Sequence, residues 1–108
     1  APFSASVLTS PAPNTRALAE PDLPLLAATF TRRAATVLAV AEAHAQDTVV
    51  LGAWGCGAFG GDPEVAAHAF HHALTGRFAG SFARVVFAVL ARNARDRRNL
   101  EVFTRWFP

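Results

Sequence analysis

The chain has 108 residues, of which 52% are apolar and 17% charged, with a formal net charge of +2. That composition excludes a disordered polar chain and gives ample material for the core of one compact domain. The small positive balance gives no large cationic field for nucleic acid, and neither a base-reading motif nor the aromatic interleaving of a single-strand binder is present.

No apolar run approaches the roughly 20 residues of a membrane span. No charged segment followed by an apolar one marks an export signal. The single cysteine, Cys56, has no partner for an internal disulfide, which suits a reducing compartment. A cytoplasmic protein without DNA or membrane partners is expected.

Phe3 to Thr9, "FSASVLT", alternates apolar and small polar residues and reads as a strand. The prolines of "SPAPN", Ser10 to Asn14, stop it, and Asn14 suits a turn. Arg16 to Pro24 reads as an irregular connector, with Asp22 as a helix cap. Leu25 to Ala45 carries Leu26, Phe30, Val37, Leu38 and Ala41 near helical spacing and predicts a long amphipathic helix. Asp47 to Leu51 reads as a short buried strand. Asp62 and Pro63, at the cap and first helical positions, start a second helix that Gly76 closes. Phe82 to Leu90 is almost continuously apolar, as a strand covered on both faces would be. Arg92 to Arg98 is expected as a loop, and Asn99 as the cap of a final helix bearing Leu100, Phe103, Trp106 and Phe107.

The predicted order, β-α-β-α-β-α, implies an α/β layered fold with a mostly parallel sheet. Three such strands leave two open edges, and the last strand reads as a central one. The sheet therefore needs strands from elsewhere, and residues 1–108 are expected to form part of one incomplete domain.

The chemistry points to Leu51 to Pro63, "LGAWGCGAFGGDP". It contains a literal G-x-G-x-x-G at Gly55, Gly57 and Gly60, the spacing of a dinucleotide-binding turn. Three features argue against that turn. Its helix begins within the glycine motif, whereas here the helix restarts at Asp62-Pro63, and Pro63 inside a helix costs about 3 kcal/mol. No acidic residue ends the next strand. Trp54 and Phe59 are foreign to the motif.

The glycines nonetheless lie between a strand end and a helix start, where open α/β sheets bind ligands. Successive loop N–H groups can form a nest for phosphate oxygens. Asp62 occupies the helix terminus as a cap, so a phosphate there would rest on the loop itself. The alternative is a tight connection in which glycine serves packing alone.

The loop, the "TSPAPN" turn before it, the Arg-containing helix Arg32 to Ala41, "RVVFAVL" from Arg84 to Leu90 and the ending "NLEVFTRWF" together resemble the bacterial-type poly(ADP-ribose) glycohydrolases, whose fold is a macrodomain. The resemblance implies a three-layer macrodomain-like fold and ADP-ribose or its polymer as ligand, with Trp54 to Gly60 wrapping the diphosphate and Phe59 near the terminal ribose. The ligand-binding candidates are Gly52, Trp54, Gly55, Cys56, Gly57, Ala58, Phe59 and Gly60, with Asn14. For Trp54 and for Phe59 core packing is the alternative, and for Asn14 a turn role. Two departures stand out. Gly61 occupies a position usually filled by Asn, and the triple-glycine, Gln-Glu-Glu catalytic loop of the family does not occur in this sequence. The chain matches only the C-terminal half of the family's domain, so no catalytic residue is nominated.

No base is tied to Cys56, which reads as a small buried loop residue rather than a nucleophile. His68, His71 and His72 fall on one side of the second helix. The His68/His72 pair has metal-ligand spacing, but no Glu or Cys completes a set, so a solvated face is expected, with no metal and no cofactor. Three functions compete: the ADP-ribose-binding part of a glycohydrolase, a non-catalytic ADP-ribose-binding module, and an assembly domain that pairs through its open sheet edge with a missing N-terminal half or a second copy.

Overall fold

The computed structural model describes residues 3–17 and 25–108. A single 3-10 turn, Thr15–Ala17, precedes α1 (Leu26–Ala43), β1 (Thr48–Leu51), α2 (Pro63–Thr75), β2 (Arg84–Phe87) and α3 (Ala94–Trp106). Asp22 lies outside the described residues. No described helix is long and apolar enough to cross a membrane.

The strands pair in parallel, with Thr48 opposite Arg84 and Leu51 opposite Phe87. Successive strand residues face opposite sides. Leu51, Phe87 and Val89 pack on the core, while Val50 and Leu90 are 68% and 59% exposed. The sheet is thus covered on one side only among the described residues, unlike the doubly covered strand expected from Phe82 to Leu90. This two-stranded parallel α/β arrangement is an incomplete domain.

Helix α1 buries Phe30, Ala34 and Leu38, spaced four apart along one stripe. Alanines 66, 67, 69 and 73 line the buried side of α2 and let the two helices approach closely. Phe30, Phe70, Phe78 and Leu38 are fully buried, each stabilising by roughly 1.5–3 kcal/mol relative to an exposed side chain. Phe87 joins sheet to helices, with its ring 4.3 Å from that of Phe107 and 5.2 Å from that of Phe103.

Helix α2 starts as its sequence predicts: the Asp62 carboxylate accepts from the Glu64 N–H at 2.9 Å, with Pro63 in the first turn.

Two expectations are corrected. Phe3 to Thr9 forms no ladder. Its alternation is real, but a strand needs a partner. Ser6 to Leu8 are separated from Thr48 to Leu51 by a groove of about 430 Å³, and Phe3 and Val7 are almost fully exposed. Arg92 to Arg98 is not a loop either. Helix α3 begins at Ala94, capped by Asn93, whose side chain accepts from the Asp96 N–H at 2.9 Å. The Asp96 carboxylate in turn accepts from the N–H of Arg92, the residue before the cap, at 3.2 Å, which closes the turn. Asn99 is therefore inside the helix, and buried.

Candidate functional site

Residues Gly52 to Gly61 carry the chain from the C-terminal end of β1 to the N-terminus of α2. Three backbone hydrogen bonds fold this loop: Cys56 N–H to Ala53 C=O at 3.1 Å, Gly60 N–H to Gly57 C=O at 3.0 Å, and Gly61 N–H to Gly55 C=O at 2.7 Å. The 3-10 turn grips it from outside through the Arg16 N–H, which donates to the Phe59 carbonyl at 3.1 Å.

The glycines divide by cause. Gly55 and Gly60 have φ of +76° and +68°, which side chains rarely adopt. A Cβ on Gly55 would also lie 2.9 Å from the Phe30 ring. On Gly61 it would lie 2.5 Å from the Gly55 carbonyl oxygen, so the Asn usual in the resembling family does not fit this loop without a shift. Gly57 differs. Its φ is not in the left-handed region, and a Cβ there would meet nothing within 4 Å. Neither conformation nor packing among the described residues requires glycine at position 57. What remains is access from outside.

Gly57 opens on a crevice of about 160 Å³ at the C-terminal ends of both strands. Ala53 lines it from the loop, Ala88, Val89 and Leu90 from beyond β2, and Arg92, Arg95, Asp96 and Asn99 from the start of α3. Among the described residues, the consecutive N–H groups of Gly57, Ala58 and Phe59 donate to no acceptor. Successive unpaired N–H groups in a turn are the donors from which an anion nest is built. Phe59 is 37% exposed beside them.

Trp54 and Cys56 turn their side chains inward. The Trp54 ring lies 5.7 Å from Phe30 and 5.9 Å from Phe70, and its indole N–H donates to the Ser10 carbonyl at 3.0 Å. Cys56 is 2% exposed. Burial first, and then the Asp62 charge against an opposing Arg98, pushes its thiol up to about 12. A thiol so held stays protonated and is no nucleophile. What these two residues can offer a ligand is backbone. Gly52 sits 3.6 Å, at its would-be Cβ, from the Ala88 carbonyl. Asn14 is exposed and its carbonyl accepts from the Ala17 N–H, away from the crevice lining.

Helix α3 braces the loop. The buried Asn99 side-chain amide donates to the Cys56 carbonyl at 3.4 Å, and Arg98 lies 3.8 Å from Asp62. Arg92 Nε donates to Asp96 at 2.8 Å, and this bond, followed by the Arg92 N–H and charge, holds the Asp96 carboxyl below its ordinary range. Sequence reasoning missed this wall because it placed residues 92–98 in a loop. The signal was available in the spacing Asn93-x-x-Asp96.

His68 and His72 are exposed, but His71 is half-buried, its ring 5.1 Å from that of Trp106 and 5.8 Å from that of Phe107. The expectation of a fully solvated face is corrected for His71: the C-terminal turn of α3 folds over it. Among the described residues no three His, Cys, Asp or Glu side chains converge to hold a metal ion.

A parallel pair of strands with three helices and a glycine loop at the strand ends makes a small α/β fold, and its likeness to solved structures places it as part of a macrodomain-like domain. The chain is similar to poly(ADP-ribose) glycohydrolase from Deinococcus radiodurans, solved in complex with ADP-ribose, at 41% identity and a TM-score of 0.84, covering 90% of this chain and 40% of that one. It is similar to the enzyme from Thermomonospora curvata at 44% identity and a TM-score of 0.81, covering 91% of this chain and 36% of that one. The Thermomonospora curvata protein solved with the inhibitor ADP-HPD matches equally well. No family model and no curated protein matches the chain. Over nine-tenths of its length the chain matches the bacterial poly(ADP-ribose) glycohydrolases in sequence and fold, and it spans two-fifths or less of the length of these solved relatives.

Proposed function

We propose that this chain supplies the diphosphate-binding part of a poly(ADP-ribose) glycohydrolase domain. The carrying observation is the run of three consecutive N–H groups, Gly57 to Phe59, that find no acceptor among the described residues and adjoin an open crevice. Arg92 and Arg95 share the one carboxylate of Asp96 at the crevice wall, which leaves a surplus of one positive charge there. Phe59, exposed beside the nest, is suited to lie against a ribose. That the solved relatives hold ADP-ribose or ADP-HPD supports the same ligand class here.

Cleavage of a ribose–ribose bond needs an acid to protonate the departing oxygen and stabilisation of an oxocarbenium-like state. The described carboxylates nearest the loop have other duties. Asp62 caps α2, Glu64 binds Arg105 and Trp106, and Asp96 binds Arg92. In our reading the acid belongs to the Gln-Glu-Glu loop that this sequence does not contain, and the reaction takes place in a cytoplasmic domain to which residues 1–108 contribute. The loop binds; a further segment hydrolyses.

Calorimetric titration of the chain with ADP-ribose tests the reading. Saturable binding that is lost in Phe59→Ala and Gly57→Val is expected. Absence of heat from a chain shown to be folded would end the proposal that these residues bind ligand on their own.

One observation favours an associated form. The outer edge of β1 borders the 430 Å³ groove facing Ser6 to Leu8, and Val50 is exposed. A sheet edge left unpaired invites a strand from the remaining part of the domain or from a second copy. Light scattering with and without ADP-ribose separates self-association from the monomer.

A further inference from the structure

We infer that Asn99 is a positioning residue for the anion nest: it sets the direction of the Gly57 N–H, and through it the affinity for a diphosphate. The inference rests on the reading of the loop as a diphosphate site.

A peptide unit is planar and, as at every bond described here, trans, so its C=O and N–H point in opposite directions. Whatever holds the Cys56 carbonyl therefore aims the Gly57 N–H the other way. The only acceptor contact of that carbonyl among the described residues is the Asn99 side-chain amide, at 3.4 Å. The next peptide is fixed by the same logic: the Gly57 carbonyl accepts from the Gly60 N–H at 3.0 Å, and this aims the Ala58 N–H. Two successive donors are thus oriented through their carbonyls, one by the loop itself and one by α3.

The Cys56–Gly57 peptide needs an outside anchor. Gly57 has no Cβ and no neighbour within 4 Å of where one would be. No side chain of its own restricts Gly57 on its side of that peptide, and glycine accepts a wide range of φ. A flipped peptide would present a carbonyl oxygen to the anion in place of a donor. Asn99 is fit to prevent this. It is 5% exposed and sits inside α3, between the turn closed by Asp96 and the buried Val102 and Phe103.

The experiment uses the isotopically labelled 108-residue chain and two variants. Asn99→Leu keeps the branched shape at Cγ, with a larger volume, and removes the donor; Asn99→Asp keeps the size and puts an acceptor against the Cys56 carbonyl. The first readout is the residual dipolar coupling of the Gly57 N–H without ligand, compared with those of Ala53 and Gly61. The second is affinity for ADP-ribose. We expect the Gly57 coupling to change while the reference couplings do not, and the affinity to fall by about tenfold or more, the scale of one lost well-aimed hydrogen bond. An unchanged Gly57 coupling overturns the inference whether or not ligand binds, and so does a changed coupling with unchanged affinity. If the wild-type chain binds no ADP-ribose, the reading of the site falls, and the coupling alone still decides whether Asn99 directs the peptide. Should both variants unfold, exchange of the Asn99 side-chain amide protons in the wild-type chain decides: one proton protected supports the anchor, both exchanging freely overturns it.

Discussion

The indole N–H of Trp54 donates to the carbonyl of Ser10 at 3.0 Å, across 44 residues of sequence. It joins the start of the glycine loop to the extended N-terminal segment, which has no ladder to hold it. The same ring wedges between Phe30 of α1 and Phe70 of α2. One side chain thereby fixes the loop to both helices and to the segment crossing them. Trp54→Phe keeps most of the apolar contact and removes the donor. A loss of about 1 kcal/mol is expected, with faster proteolysis before Asn14 and no comparable change within α2. Limited digestion followed by mass spectrometry checks it.

The two glycines flanking Cys56 should respond in opposite ways. Gly55→Ala places a methyl group 2.9 Å from Phe30 and 3.0 Å from Ala12 at a φ of +76°. The backbone alone costs roughly 1–3 kcal/mol, so a clear fall in Tm is expected. Gly57→Ala adds a methyl group to open space at an ordinary φ, and restricting the unfolded chain there stabilises by about 0.4–1 kcal/mol. Its Tm should hold or rise slightly while ADP-ribose affinity falls. Equal destabilisation by both variants would show that the loop glycines serve packing alone.

That contrast marks how far the sequence could be read. Asp62-Pro63 announced α2 because its cap is local, satisfied by Glu64 two residues on. The stripe Phe30, Ala34, Leu38 was legible because helical periodicity is local too. Phe3 to Thr9 was misread because alternation specifies a face but cannot supply a neighbouring strand. Asn99 was misassigned for a different reason: Arg-rich segments read as solvated. The arginines are indeed exposed, but they sit at the first turns of a helix, where Arg92 and Arg95 pair with Asp96 and Arg98 with Asp62. The division of labour among the glycines depends on what lies near each in space, which spacing alone does not carry.

Acid should loosen the join between α2 and α3. Glu64 accepts from the Trp106 indole and from Arg105, each at 2.7 Å. The Trp106 hydrogen bond, then Arg105, holds its carboxyl below the ordinary value of 4.5. A carboxylate whose pKa is lowered on folding contributes stability above its unfolded pKa and loses it as pH falls through the folded one. Asp96, held down by Arg92, acts in the same direction from 3.8 downward. Tm should therefore fall as pH drops below about 4.5, and Glu64→Gln should start lower and fall less steeply. Scanning calorimetry from pH 6 to pH 3 compares the slopes.

Alkali should act through Cys56. Its thiol, 2% exposed beside Asp62, is raised from 9.0 to about 12, first by burial and then by that charge. A group whose pKa is raised on folding contributes its full stability below the unfolded pKa and loses it as pH climbs toward the folded one. Between pH 9 and pH 11 the unfolded chain carries a thiolate that the folded chain does not. The difference of one proton corresponds to a slope of about 1.4 kcal/mol per pH unit. Cys56→Ala removes the titrating group, so its stability should be flatter over that interval although lower at pH 7 from the lost packing. The same burial should slow alkylation: at pH 8 iodoacetamide should modify Cys56 only as fast as the chain opens, and denaturant should raise the rate steeply. Rapid modification of the folded chain would mean that the loop opens around Cys56 far more often than its packing against α3 allows, and the nest it supports would then be only transiently formed.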